Sequence, residues 1–169
     1  MVRITTPPLP KRWDVVRCYC EYPHDKHRDS THPALVLTII PAQGMGNKTP
    51  LVVVAVGTGA LDPQTGLRRK IALGEIPLNL ELCQSAGLSK ETKFCFDENG
   101  IFVFPWDNEF FRWDPETPHD QGEPLFGTLD TKCKGFERFS TTFAASPEYR
   151  LLEDVIRRLV HRLVLNDKK

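Results

Sequence analysis

The stretch "YCEYPHDKHRDSTHPALVL", Tyr19 to Leu37, crowds a cysteine and three histidines into a charged, proline-punctuated segment. Two chemistries suit such residues: metal ligation by thiolate and imidazole, or proton transfer by a side chain whose unperturbed pKa is about 6.5. Structural zinc sites favour two to four residues between paired cysteines and three to five between paired histidines. Cys18 and Cys20 enclose one residue, and His24 and His27 enclose two, so neither pair has that spacing. On a strand, Cys18 and Cys20 point to the same face, which suits small buried thiols. No metal and no other cofactor is therefore expected. The imidazoles remain, and His32 stands directly before Pro33 at the head of an apolar run. Arg28 lies four residues upstream, and His24, Asp25, His27 and Ser30 lie on the same connection.

These residues need a scaffold. "WDVVRCYCEY" places Val16, Cys18 and Cys20 on one face and Arg17, Tyr19 and Glu21 on the other, which predicts a first strand. "ALVLTII" (34–40) and "LVVVAVG" (51–57) are continuous β-branched runs, predicting two buried strands paired antiparallel across a Gly- and Pro-containing loop. A short strand is expected at "IAL" (71–73), and a turn or two of helix before Gly87. Two further strands are expected around the Asn99-Gly100 turn, a hairpin signal, and then a long loop over 105–124. Ser146, Pro147 and Glu148 read as cap, first helical position and early-turn acid. They open a helix over 147–165 with an apolar stripe and the pairs Glu153–Arg157 and Asp154–Arg158. Residues 1–11, with Pro7, Pro8 and Pro10, read as an extended arm.

The 169 residues suit a single domain able to bury roughly 70% of its unfolded surface. The expected class is mainly β (α+β), a small β-barrel with a C-terminal α-helix. A net charge of +0 confines any nucleic-acid contact to a local patch, such as Arg68 and Arg69 in "RRK". The odd count of five cysteines and an N-terminus without an apolar core predict reduced thiols and a cytoplasmic location. No apolar run is long enough for a membrane span.

The order "WDVV" (13–16), "HPALVL" (32–37), "VVVAVGT" (52–58) resembles the PemK/MazF toxin family. "AGLSKETKF" (86–94), "GIFVFPWDNEFF" (100–111) and "PLFGTLD" (124–130) resemble its later segments. The resemblance implies a Src-homology-3-like barrel that forms a homodimer and cleaves single-stranded RNA without a metal. It also implies control by a small cognate antitoxin protein. It carries a site threonine onto Thr58, and it leads to an arginine at the position His32 holds, a departure from the family pattern.

RNA cleavage of this kind deprotonates a 2′-hydroxyl, stabilises a charged phosphorane and protonates the leaving 5′-oxygen. A histidine at position 32 transfers protons better than an arginine but stabilises charge less well. The expected catalytic set is thus His32, Thr58 and Arg28, with His24, Asp25, His27, Ser30, Arg68 and Arg69 contacting RNA. The same barrel without catalysis, binding a protein or a nucleic acid, is the alternative. A zinc-stabilised regulatory domain built on the His-rich loop is a third.

Overall fold

The computed structural model describes residues 7–20, 31–41, 49–72, 74–97, 99–107, 109–112 and 125–145, together with 153–154, 156–158 and 161–162. In chain order the elements are β1 (Asp14–Cys18), β2 (His32–Ile40), β3 (Leu51–Gly59), β4 (Glu75–Pro77), α1 (Leu80–Ser85), β5 (Thr92–Cys95), β6 (Ile101–Pro105), β7 (Leu125–Thr128) and α2 (Lys134–Ala145). The strands form one antiparallel sheet of order β4-β5-β3-β2-β1-β7, with β6 also on β3. Among the described residues no ladder joins β4 to β7, so the sheet is open rather than a closed barrel.

The β-branched runs form the centre of the sheet because strands buried on both faces need apolar side chains at every position. From Leu51 to Gly57 every residue of β3 is buried. Its side chains alternate between two clusters. Val53 and Ala55 meet Val15, Leu35, Phe94, Phe96, Leu82 and Phe139 on the side that carries the helices. Val52, Val54 and Val56 meet Val16, Cys18, Ala34, Val36, Trp106 and Phe111 on the other. Cys18 and Cys20 do share a face, the second of these.

Three sequence expectations are corrected. The Asn99-Gly100 turn does not close a hairpin. β5 and β6 both pair with β3, β6 along Leu51–Ala55 and β5 along Gly57–Gly59. A nine-residue strand offers one long edge, and two short strands share it end to end. The expected strand at 71–73 lies further on, at Glu75–Pro77, where it pairs with β5. Finally, α2 occupies a segment for which no helix was expected. Its Phe136, Phe139 and Phe143 fall at helical spacing, and Phe139 and Phe143 are buried against the sheet.

Other expectations hold. Asn79 caps α1 by accepting from the Leu82 N–H at 2.8 Å, and Gly87 follows at φ 76°. A Cβ on Gly87 would overlap the Phe126 carbonyl oxygen, so the residue is required both for its dihedral and for close contact with β7. The helix expected over 147–165 falls mostly outside the described residues. Those described between 153 and 162 are helical, and Arg157 there pairs with Asp154 at 3.3 Å, three residues back. The arm is described from residue 7 and is tied down, the Trp106 indole N–H donating to the Pro7 carbonyl at 3.1 Å. All five cysteines are free thiols. No helix among the described residues is long and apolar enough to cross a membrane.

The start of β1 is strained and well held. Trp13 is a non-glycine residue at φ 74°, a conformation costing of order 1–3 kcal/mol. Its N–H donates to the Val36 carbonyl at 2.9 Å and its own carbonyl accepts from Leu129 at 3.0 Å. Its ring stands edge-on to Phe136 and Phe139 at 5.6 Å and to Phe143 at 6.1 Å, pinning α2 to the sheet. Next to it, buried Asp14 accepts from the Lys11 N–H at 2.7 Å and from the Thr128 hydroxyl at 2.6 Å, joining the first strand to the last.

Candidate functional site

Polar side chains gather where the β-branched run of β3 gives out. Cys18 lies opposite His32 in the β1–β2 ladder, and Thr58 lies opposite Lys93 in the β3–β5 ladder. The β2–β3 ladder ends at Ala34 and Val56, so His32 and Thr58 each lie two residues beyond it, on the same face as those two residues. Directly opposed residues of antiparallel strands share a face, with Cβ atoms about 4.5–5.5 Å apart. Cys18 and His32 thus face each other across β1 and β2, and Thr58 and Lys93 across β3 and β5, both pairs at one end of the sheet on the face opposite the helices. His32 and Thr58 are each half-buried.

Gly57 makes this end of the sheet possible. A Cβ there would sit 2.7 Å from Phe94 Cε1 and 2.9 Å from Thr92 Cγ2, so only glycine lets β5 approach β3 beside Thr58. The Thr58 hydroxyl makes a long contact, 3.4 Å, to the Gly59 carbonyl.

Lys93 was missed by sequence reasoning. Its ammonium lies 2.6 Å from Glu75 Oε2, with the two side chains only 8% and 10% exposed, and donates to the Lys70 carbonyl at 3.1 Å. The same Glu75 oxygen accepts from the Ala72 N–H at 2.9 Å. A fixed, internally balanced ion pair thus stands at this end of the sheet and ties the chain around residues 70–72 to β5. The signal was present: Lys93 is the one charge in "TKFCF", an otherwise uncharged strand.

Arg17 is the second residue missed. Its guanidinium carbon lies 3.8 Å from the Phe126 ring centroid, and its Nη1 is buried without a hydrogen-bond partner among the described residues. Burial, and then the neighbouring charge of Arg112, lower its pKa from the usual arginine value.

The other expected site residues divide into two groups. Arg28, His24, Asp25, His27 and Ser30 lie outside the described residues. Arg68 and Arg69 are exposed on the β3–β4 connection. Arg68 lies 3.6 Å from Glu91, and the Arg69 N–H donates to the Ala60 carbonyl at 2.8 Å, two residues past Thr58. Their side chains line a pocket against α2 rather than the face that carries His32 and Thr58.

The thiols are set for packing. The Cys18 thiol is pushed well up by its hydrogen bond with Cys20 and by burial, and burial pushes Cys83 up as well and Cys95 up to about 12. Thiolate ligation would work against those shifts. Among the described residues no three His, Cys, Asp or Glu side chains are grouped to hold a metal ion.

Compared with known proteins, the chain matches no family model and no curated protein sequence.

Proposed function

We propose that the protein is a metal-independent endoribonuclease acting on single-stranded RNA. The observation that carries this reading is that His32 and Thr58 each lie two residues beyond the Ala34–Val56 pair, on the same face of neighbouring strands. In the proposed reaction His32 takes the proton from a 2′-hydroxyl, whose oxygen attacks the adjacent phosphorus. The bond from phosphorus to the 5′-oxygen breaks, and the imidazolium returns the proton to that oxygen. The products are a 2′,3′-cyclic phosphate and a 5′-hydroxyl. Thr58 orients the phosphate by hydrogen bonding, and Lys93 positions β5 beside it through its pair with Glu75. Arg28, four residues before His32 in sequence, supplies the guanidinium for the charged phosphorane. On this reading the open sheet belongs to a Src-homology-3-like barrel, and the working unit is a homodimer restrained by an antitoxin protein.

One observation favours a second reading. The Lys93 ammonium is already neutralised by Glu75, so this end of the sheet gains no net positive charge from it. A barrel of this kind that only binds its partner fits that balance.

Incubating the purified full chain with labelled single-stranded RNA in EDTA separates the two. The expected result is cleavage by wild type, with a loss of about 10²–10⁴-fold on His32→Ala. Thr58→Ala is expected to slow it as well, and RNA carrying 2′-deoxy at the cleaved position should stay intact. Absence of cleavage by wild type, or wild-type rates for both variants, overturns the catalytic reading.

A further inference from the structure

A pocket of about 360 Å³ lies between α2, β4 and the β3–β4 connection. Three arginines line it: Arg68 and Arg69 from the connection and Arg138 from α2. Its apolar wall is made by the exposed Ile71 and Pro77, backed by Ile76, Leu78 and Phe139 of the helix-side core. Glu91 is the one carboxylate among the lining residues, and it is engaged by Arg68 at 3.6 Å. Asp62, whose charge acts on Arg69, accepts from the backbone N–H groups of Gln64 and Thr65. Arg138 has no ion-pair partner among the described residues. The pocket therefore pairs an excess of planar cationic donors with an apolar floor, at a volume within the roughly 300–1,000 Å³ range of small-ligand sites.

We propose that this pocket binds an organic phosphate, its phosphoryl oxygens held by Arg69 and Arg138 and its body resting on Ile71 and Pro77. Guanidinium forks match phosphate oxygens bidentately, which favours phosphate over a single-point anion. The apolar floor favours a phosphate ester over the bare ion, because an inorganic anion leaves that surface uncovered. A nucleoside phosphate has this combination of a charged end and a flat body. It can be a free nucleotide or the 5′ end of a nucleic-acid strand. The inference does not rest on the endoribonuclease reading, since the pocket opens on the helix-bearing face and His32 and Thr58 occupy the other.

Isothermal titration of the full chain with adenosine 5′-monophosphate, adenosine, inorganic phosphate and a 5′-phosphorylated tetradeoxynucleotide tests it. The monophosphate should bind at least about tenfold more tightly than either adenosine or inorganic phosphate. Arg138→Gln should weaken it about tenfold with an unchanged melting temperature, because the side chain is exposed, and Arg138→Lys should recover part of the loss. Tighter binding of the tetradeoxynucleotide, equally sensitive to Arg138→Gln, assigns the site to strand ends. Tighter binding of the mononucleotide assigns it to free nucleotides. Equal affinities for adenosine and its monophosphate, or affinity unaffected by Arg138→Gln, overturns the proposal, as does no detectable binding of either phosphorylated probe. RNA cleavage by Arg138→Gln should match wild type, so the two readings fail separately.

Discussion

The two halves of β3 belong to one strand, yet they pair with different neighbours and are built for different ends. Along Leu51–Ala55 the strand pairs with β6, and every side chain is apolar and buried, filling both clusters of the core. Along Gly57–Gly59 it pairs with β5, and the residues there are two glycines and a threonine beside a buried lysine. The first half holds its place by side-chain volume. The second holds its place by the absence of a side chain at Gly57 and by an ion pair at Lys93 and Glu75. Chemistry is possible only where packing does not claim every position, and His32 and Thr58 lie where the valines stop.

Substitutions can break this contrast. Lys93→Met leaves the Glu75 carboxylate buried without its cation and should cost about 3–4 kcal/mol in urea unfolding. Combining it with Glu75→Leu should restore most of that loss; a stable single variant would show that the ion pair does not hold this half. Gly57→Ala drives a methyl into Phe94 and Thr92 and should cost about 2–3 kcal/mol, read as a fall in melting temperature. Val54→Ala, in the packed half, leaves a small void and should cost about 2 kcal/mol while leaving RNA cleavage by the folded fraction unchanged. His32→Ala and Thr58→Ala should change stability by no more than about 0.5 kcal/mol, so that their effect falls on activity. A large stability loss for either would move that residue into the packed half of the comparison.

The same end of the sheet has a pH signature. Burial raises the Cys95 thiol to about 12, whereas an unfolded cysteine ionises near about 8.5. A raised value means that the neutral thiol is favoured by folding. Its contribution is complete below about pH 8.5 and is lost progressively as pH rises toward 12. The stability of wild type measured from pH 8 to 11 should decline more steeply than that of Cys95→Ala, and identical slopes would contradict the shift.

The packed half was legible in the sequence and the other half was not. Runs such as "ALVLTII" and "LVVVAV" carry their burial in their composition, so β2, β3 and their pairing could be read directly. His32 and Thr58 stood out because they end those runs. Lys93 did not, because periodicity marks a strand without saying which edge it will occupy. The Asn99-Gly100 turn misled for the same reason: the dipeptide specifies a turn, and the long free edge of β3 decides where the flanking strands go. α2 was hidden by its composition. "KGFERFSTTFAA" mixes glycine, serine, threonine and phenylalanine, weak helix formers, and its three phenylalanines become a stripe only against Trp13 and the sheet.

The bond between Asp14 and Thr128 has a consequence in time as well as in space. β1 leaves the ribosome well before its outer neighbour β7 and the helix that covers Trp13, which come more than a hundred residues later. Until then β1 presents an open edge and the strained turn at Trp13 lacks its aromatic support. Contacts so distant in sequence are slow to close. Completion of the sheet must therefore await synthesis of β7, and a nascent chain stopped before Leu125 carries an edge ready to pair with another copy.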